Sequence, residues 1–110
     1  MILALITFFL AVAPADFNDK QACAKEVQQI NVEIQKLSVE RDQHAKRAQE
    51  YQSQGDRWQY YSNNIQDAYD AWAKADQERA QMIEIQTQID AYQQRKDLIF
   101  QLYPDLRSNP

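Results

Sequence analysis

The stretch YQSQGDRWQYYSNNIQDAYDAW, Tyr51–Trp72, decides between one unbroken helix and a helical hairpin. It holds the only glycine, Gly55, both tryptophans and four of the six tyrosines, in a chain rich in glutamine. Upstream of it, apolar or small residues recur at Cys23, Val27, Ile30, Ile34 and Leu37 in steps of four and three. The same phase continues through Arg41, His44, Ala48 and Tyr51. Such steps place side chains on one helix face, and a seven-residue repeat marks a coiled coil. Carried past the glycine as one helix, the repeat puts Gly55, Ser62, Tyr69 and Asp76 at one seam position, and three of these suit a core poorly. Restarted after it, Trp58, Tyr61, Ile65, Ala68, Trp72, Ala75, Arg79 and Met82 follow in three-four steps. Gly55 suits the left-handed residue that closes a helix, and Asp56 suits an N-cap with Gln59 three residues on. The stretch therefore predicts a bend near Gly55. The competing reading is a continuous helix, because one internal glycine costs only about 1 kcal/mol.

The predicted fold is thus all-α, a two-helix antiparallel hairpin of coiled-coil type over residues 16–103. Asn18 is the expected N-cap of the first helix, with Gln21 three residues on. The second helix continues through Met82, Ile85, Ile89, Tyr92 and Ile99, with a slip of phase near Met82, and ends before Pro104. Residues 104–110 are left as a tail. A bend at Gly55 pairs Tyr51 with Trp58 and Leu37 with Trp72, and sets residues 98–103 opposite residues 6–11. Two helices alone bury one stripe each, so pairing of two hairpins into a four-helix arrangement is expected.

Composition agrees with long helices, since one glycine and three prolines in 110 residues supply few turns. A formal net charge of -4 and the lack of a basic cluster argue against nucleic-acid binding. Mean hydropathy is -0.72, yet the apolar residues are periodic, as in a folded chain. The N-terminus differs in kind. Its apolar run, Ile2–Ala13, is shorter than the roughly 20 residues that span a bilayer. It fits the core of an export signal, with Ala13 and Ala15 forming an A-x-A pattern and cleavage expected after Ala15. Residues 1–15 therefore read as a signal peptide, or else as a retained membrane anchor or a buried N-terminal segment, and the mature chain as secreted or periplasmic.

Little points to catalysis. The single histidine, His44, falls on the helix seam, and no His/Cys cluster or Gly-rich phosphate loop is present. Acidic residues such as Asp67, Asp70, Asp76 and Glu78 are spaced among Lys74 and Arg79, as on a solvated face. No catalytic residue, cofactor or metal is assigned. Cys23, the single cysteine, is either an intermolecular disulfide former or a small buried hydrophobe on the Val27–Ile30 stripe. Two surfaces are candidates for partner binding. One is the aromatic tip, Trp58, Tyr60, Tyr61, Tyr69 and Trp72, where Tyr60 and Tyr69 lie off the seam; its alternatives are plain core and a sugar-stacking platform. The other is Leu98, Ile99, Phe100, Leu102 and Tyr103, which a cleaved N-terminus leaves uncovered. These features together anticipate an exported, non-enzymatic protein that self-associates and binds another protein. The alternative is a coiled-coil spacer held in a membrane by the N-terminal segment.

Overall fold

A computed structural model describes residues 12–62 and 64–108, the side chains of Tyr61, Ser62 and Ser108 excepted. Two helices of 38 residues each pack against one another as a hairpin: α1, Lys20–Arg57, and α2, Ile65–Leu102. A π-helical turn, Trp58–Ser62, follows α1, and a 3-10 turn, Pro104–Ser108, follows α2. The chain divides into two compact units. One holds residues 38–86 and the other holds residues up to 37 together with residues from 87 on.

The start of α1 differs by one residue from expectation. Asp19, not Asn18, is the N-cap: its carboxylate accepts the Ala22 N–H at 3.0 Å, and its carbonyl accepts the Cys23 N–H. Asn18 instead donates its N–H to the Asp16 carboxylate, closing a small turn before the helix. Asn64 caps α2 in the same way, accepting the Asp67 N–H at 3.2 Å. At the far end Tyr103 still donates to the Ile99 carbonyl, and Pro104, which has no N–H, starts the 3-10 turn.

In the unit of residues 38–86 the chain reverses after the π-helical turn Trp58–Ser62, well past Gly55. The helix runs through the glycine, which is buried. A Cβ added there would lie 2.4 Å from Trp72 Nε1, 2.5 Å from Trp72 Cδ1 and 3.1 Å from the Ala68 carbonyl oxygen. The glycine is thus the tenth member of the α1 seam, needed for close approach and not for a left-handed bend. Asp56 is no cap either; it accepts from Trp72 Nε1 at 3.0 Å and from Gln52 Nε2 at 3.2 Å. Trp72 therefore meets Gly55 and Asp56, not Leu37. Tyr51 lies under Lys74, whose Nζ is 5.7 Å from its ring centroid, where Trp58 had been expected.

The seam of α2 also differs. Buried residues fall at Ala68, Ala71, Ala75, Ile85, Ile89, Tyr92 and Ile99, with Glu78 and Met82 half-buried between them. These positions keep a steady three-four rhythm, so there is no slip at Met82. The apparent slip came from placing Trp72 and Arg79 on the seam, where Ala71 and Glu78 stand. Ile65, expected in the core, is 42% exposed. The seam of α1 stands as anticipated: Cys23, Val27, Ile30, Leu37 and Ala48 are buried, and Ile34, Arg41, His44 and Tyr51 are half-buried. Small residues dominate the buried seam of residues 38–86, where Ala48, Gly55, Ala68, Ala71 and Ala75 let the two backbones come close.

In the other unit the seam is built from large side chains. Tyr92, Ile30, Ile99 and Cys23 are fully buried. Glu26 is buried to 3% exposure and carries a forked ion pair with Arg95, whose Nε lies 2.7 Å from Oε2 and Nη2 2.9 Å from Oε1. The same two side chains clasp the backbone of Ala15. Its N–H donates to Glu26 Oε1 at 2.6 Å and its carbonyl accepts from Arg95 Nη2 at 3.0 Å. Arg95 also stacks over the Phe17 ring at 4.2 Å. Residues 104–108, expected as tail, join this unit: Leu106 packs on the core and Asp105 pairs with Lys20. Of the anticipated signal peptide, residues 1–11 lie outside the described residues, while Val12 is buried.

Candidate functional site

The aromatic tip is assembled by the π-helical turn and the first two turns of α2. Tyr60 is 79% exposed and Tyr69 59% exposed, as their place off the seam implied. Tyr69 meets Trp72 edge to face, with centroids 5.8 Å apart and planes at 67°. Trp72 is half-buried, and its only polar atom is satisfied by Asp56. Trp58 is half-buried and lines a shallow hollow of about 270 Å³ with Asp67, Asp70 and Lys74. The side chain of Tyr61 lies outside the described residues. Ile65, four residues before Tyr69 and so on the same face, adds a third exposed apolar side chain.

The C-terminal candidates divide differently. Ile99 is fully buried against Cys23 and Val27, and Phe100, Tyr103 and Leu106 are half-buried around it. Tyr103 donates its hydroxyl to the Phe17 carbonyl. Only Leu98 and Leu102 remain exposed, at 49% and 53%. The later turn is the cause: it brings the first turns of α1 alongside residue 99, while residues 6–11, the expected partners, lie outside the described residues. Three of the five proposed patch residues thus belong wholly or partly to the core.

Of the two readings of Cys23, the small buried hydrophobe is the one its position matches. Its side chain is fully buried, and its thiol contacts the Asp16 carbonyl at 3.4 Å. Burial pushes the thiol pKa up, and the neighbouring Glu26 carboxylate pushes the same way, so the reactive thiolate is disfavoured. A disulfide between chains would require this core to open.

Sequence reading did not anticipate the polar layer in the seam of residues 38–86. His44 Nδ1 bonds Glu78 Oε2, and Arg47 Nη2 lies 3.2 Å from the same ring nitrogen. Arg47 Nε lies 3.4 Å from the same oxygen, and Arg41 donates to Gln86 at 2.8 Å. The only signal was that the heptad phase put Arg41 and His44 on the seam. The His44 hydrogen bond, and then the charge of Arg47, hold the Glu78 carboxyl below its usual range. A carboxyl lowered on folding stabilises the fold above its unfolded pKa, and that contribution disappears as pH falls through the folded value. Glu78→Gln is therefore expected to flatten the loss of urea-unfolding midpoint between about pH 5 and pH 3. Equal slopes for variant and parent would show that the pair does not contribute.

Among the described residues no group of three or more His, Cys, Asp or Glu side chains is arranged to hold a metal ion. Nor is any helix among them long and apolar enough to cross a membrane. Compared with protein-family models, with curated proteins and with solved structures, the chain matches none.

Proposed function

We propose that this chain is an exported, non-enzymatic interaction protein, an adaptor, chaperone-like factor or assembly subunit, that self-associates and binds another protein. One observation carries the reading: Tyr60, Ile65 and Tyr69 are large, exposed and gathered within ten residues around the turn. Exposed aromatics that keep a polar tip in water while offering apolar area are favoured where proteins meet. The export half of the proposal rests on the apolar run Ile2–Ala13 and the A-x-A pattern. Cleavage after Ala15 would take its N–H and carbonyl away from Glu26 and Arg95. Water or the new α-amino group of Asp16 would then donate to Glu26, and water would accept from Arg95.

The test is a variant carrying Tyr60→Ala and Tyr69→Ala. Each removes an exposed side chain, so helicity should hold and stability should change by no more than about 0.5 kcal/mol per site. Sedimentation equilibrium should show the parent self-associating and the double variant weakened by at least about tenfold. A parent that stays monomeric, or a variant that associates equally well, would remove the tip as a self-association surface.

A further inference from the structure

A groove opens in the unit that holds both chain ends, between the first turns of α1 and the last turns of α2, with a volume of about 450 Å³. Small concave binding sites fall in the range of roughly 300–1,000 Å³. Its apolar lining comes from Val27, Phe100 and Leu106, and Lys96 and Arg107 also border it. Both cations converge on one aromatic ring: Lys96 Nζ lies 5.9 Å and Arg107 Cζ 5.2 Å from the Phe100 centroid. Such contacts orient a cation without neutralising it.

The other cations of this neighbourhood are spoken for, Arg95 by Glu26 and Lys20 by Asp105. Lys96 and Arg107 form no ion pair among the described residues. Asp97 follows Lys96 in sequence but stands about 100° further round the helix. A chain of net charge -4 thus presents two unneutralised cations around an apolar hollow. Gln28 and Asn31, one helical turn apart on α1, add amide donors along its edge.

We infer that this groove binds an acidic peptide segment of a partner protein, one that carries an Asp or Glu carboxylate beside a large apolar side chain. The apolar side chain fills the space over Val27 and Leu106, and the carboxylate lies between Lys96 and Arg107. The inference rests on the reading of the chain as a protein-binding hairpin, and supplies the chemistry of the partner at a surface separate from the aromatic tip.

The test is fluorescence anisotropy of the purified protein with two labelled peptides, one alternating Glu with Leu and Phe, the other alternating Lys with the same residues. The Glu peptide should bind at least about tenfold more tightly, and raised salt should weaken it. Lys96→Glu with Arg107→Glu should lose about tenfold or more, and Lys96→Gln with Arg107→Gln an intermediate amount, both at unchanged helicity. Lys46→Glu with Arg57→Glu, in the other unit, should leave binding as it was. Equal affinity for the two peptides, or undiminished binding by the Glu variant, would overturn the inference. The Tyr60→Ala, Tyr69→Ala variant separates the two proposals. It should bind the Glu peptide normally, so failure of the groove leaves the tip standing and failure of the tip leaves the groove standing.

Discussion

Glu26→Ala is expected to destabilise the protein by about 3–5 kcal/mol, because it strands a charge and does not merely delete a contact. In the folded chain both oxygens of Glu26 are engaged, one by Arg95 Nε and the other by Arg95 Nη2 and the Ala15 N–H. The carboxylate is almost wholly removed from water, and the Arg95 side chain is only 16% exposed. Removing Glu26 leaves the guanidinium half-desolvated with one carbonyl for company, and leaves the Ala15 N–H without its acceptor. An arginine guanidinium keeps its proton in proteins, so the cation cannot escape by neutralisation. The pair as a whole is a different matter. Desolvation of two charges offsets most of their attraction, so an apolar pair of similar volume can be neutral. Glu26→Leu with Arg95→Met should therefore be milder than either Glu26→Ala or Arg95→Ala alone. Urea unfolding followed by circular dichroism measures all four. A loss below about 1 kcal/mol for Glu26→Ala would show that the unit is loose enough to let water reach Arg95.

How far the sequence could be read follows from which residues speak through periodicity. The α1 stripe from Cys23 to Tyr51 was legible because apolar residues recurring at three and four have one common explanation. The pair Glu26–Arg95 was not, since its members lie 69 positions apart and each alone resembles an ordinary surface charge. Its partners could be matched only with the correct register, and the register depended on the turn. There local signals misled. Gly55 followed by Asp56 looks like a helix stop and a helix start. Yet both residues serve Trp72, which sits on another stretch of chain. Glycine has two uses, conformational freedom and lack of bulk, and sequence alone does not distinguish them. Misplacing the turn then moved every predicted pairing, which is why Ile99 was assigned to a surface patch. Tyr60 and Tyr69 were legible because exposure off the seam depends on phase and not on register.

Gly55→Ala is the second large effect expected, and its sign is the opposite of what helix propensity gives. In a solvated helix this change stabilises by about 1 kcal/mol, since alanine restricts the unfolded chain and glycine does not. Here the new methyl would enter the space of the Trp72 indole, 2.4 Å from its nitrogen and 2.5 Å from Cδ1. An indole is rigid, and this one is held by its hydrogen bond to Asp56 and its edge contact with Tyr69. To move aside it must give up the first and disturb the second. Overpacking of this kind costs about 1–3 kcal/mol, which exceeds the propensity gain. The net result should be a lower melting temperature at full helicity. A second substitution isolates the cause. In a Trp72→Ala background the obstructing ring is gone, and only the Ala68 carbonyl, 3.1 Å from the added methyl, has to yield by a few tenths of an ångström. Gly55→Ala should then become neutral or stabilising, by up to the same ~1 kcal/mol. The double-mutant cycle thus predicts a change of sign and not merely of size. If Gly55→Ala stabilises the parent protein, the glycine is not held by Trp72, and the close approach of α1 and α2 at this layer is wrong. If it destabilises both backgrounds equally, the obstacle is the backbone at Ala68, and Trp72 only lies nearby.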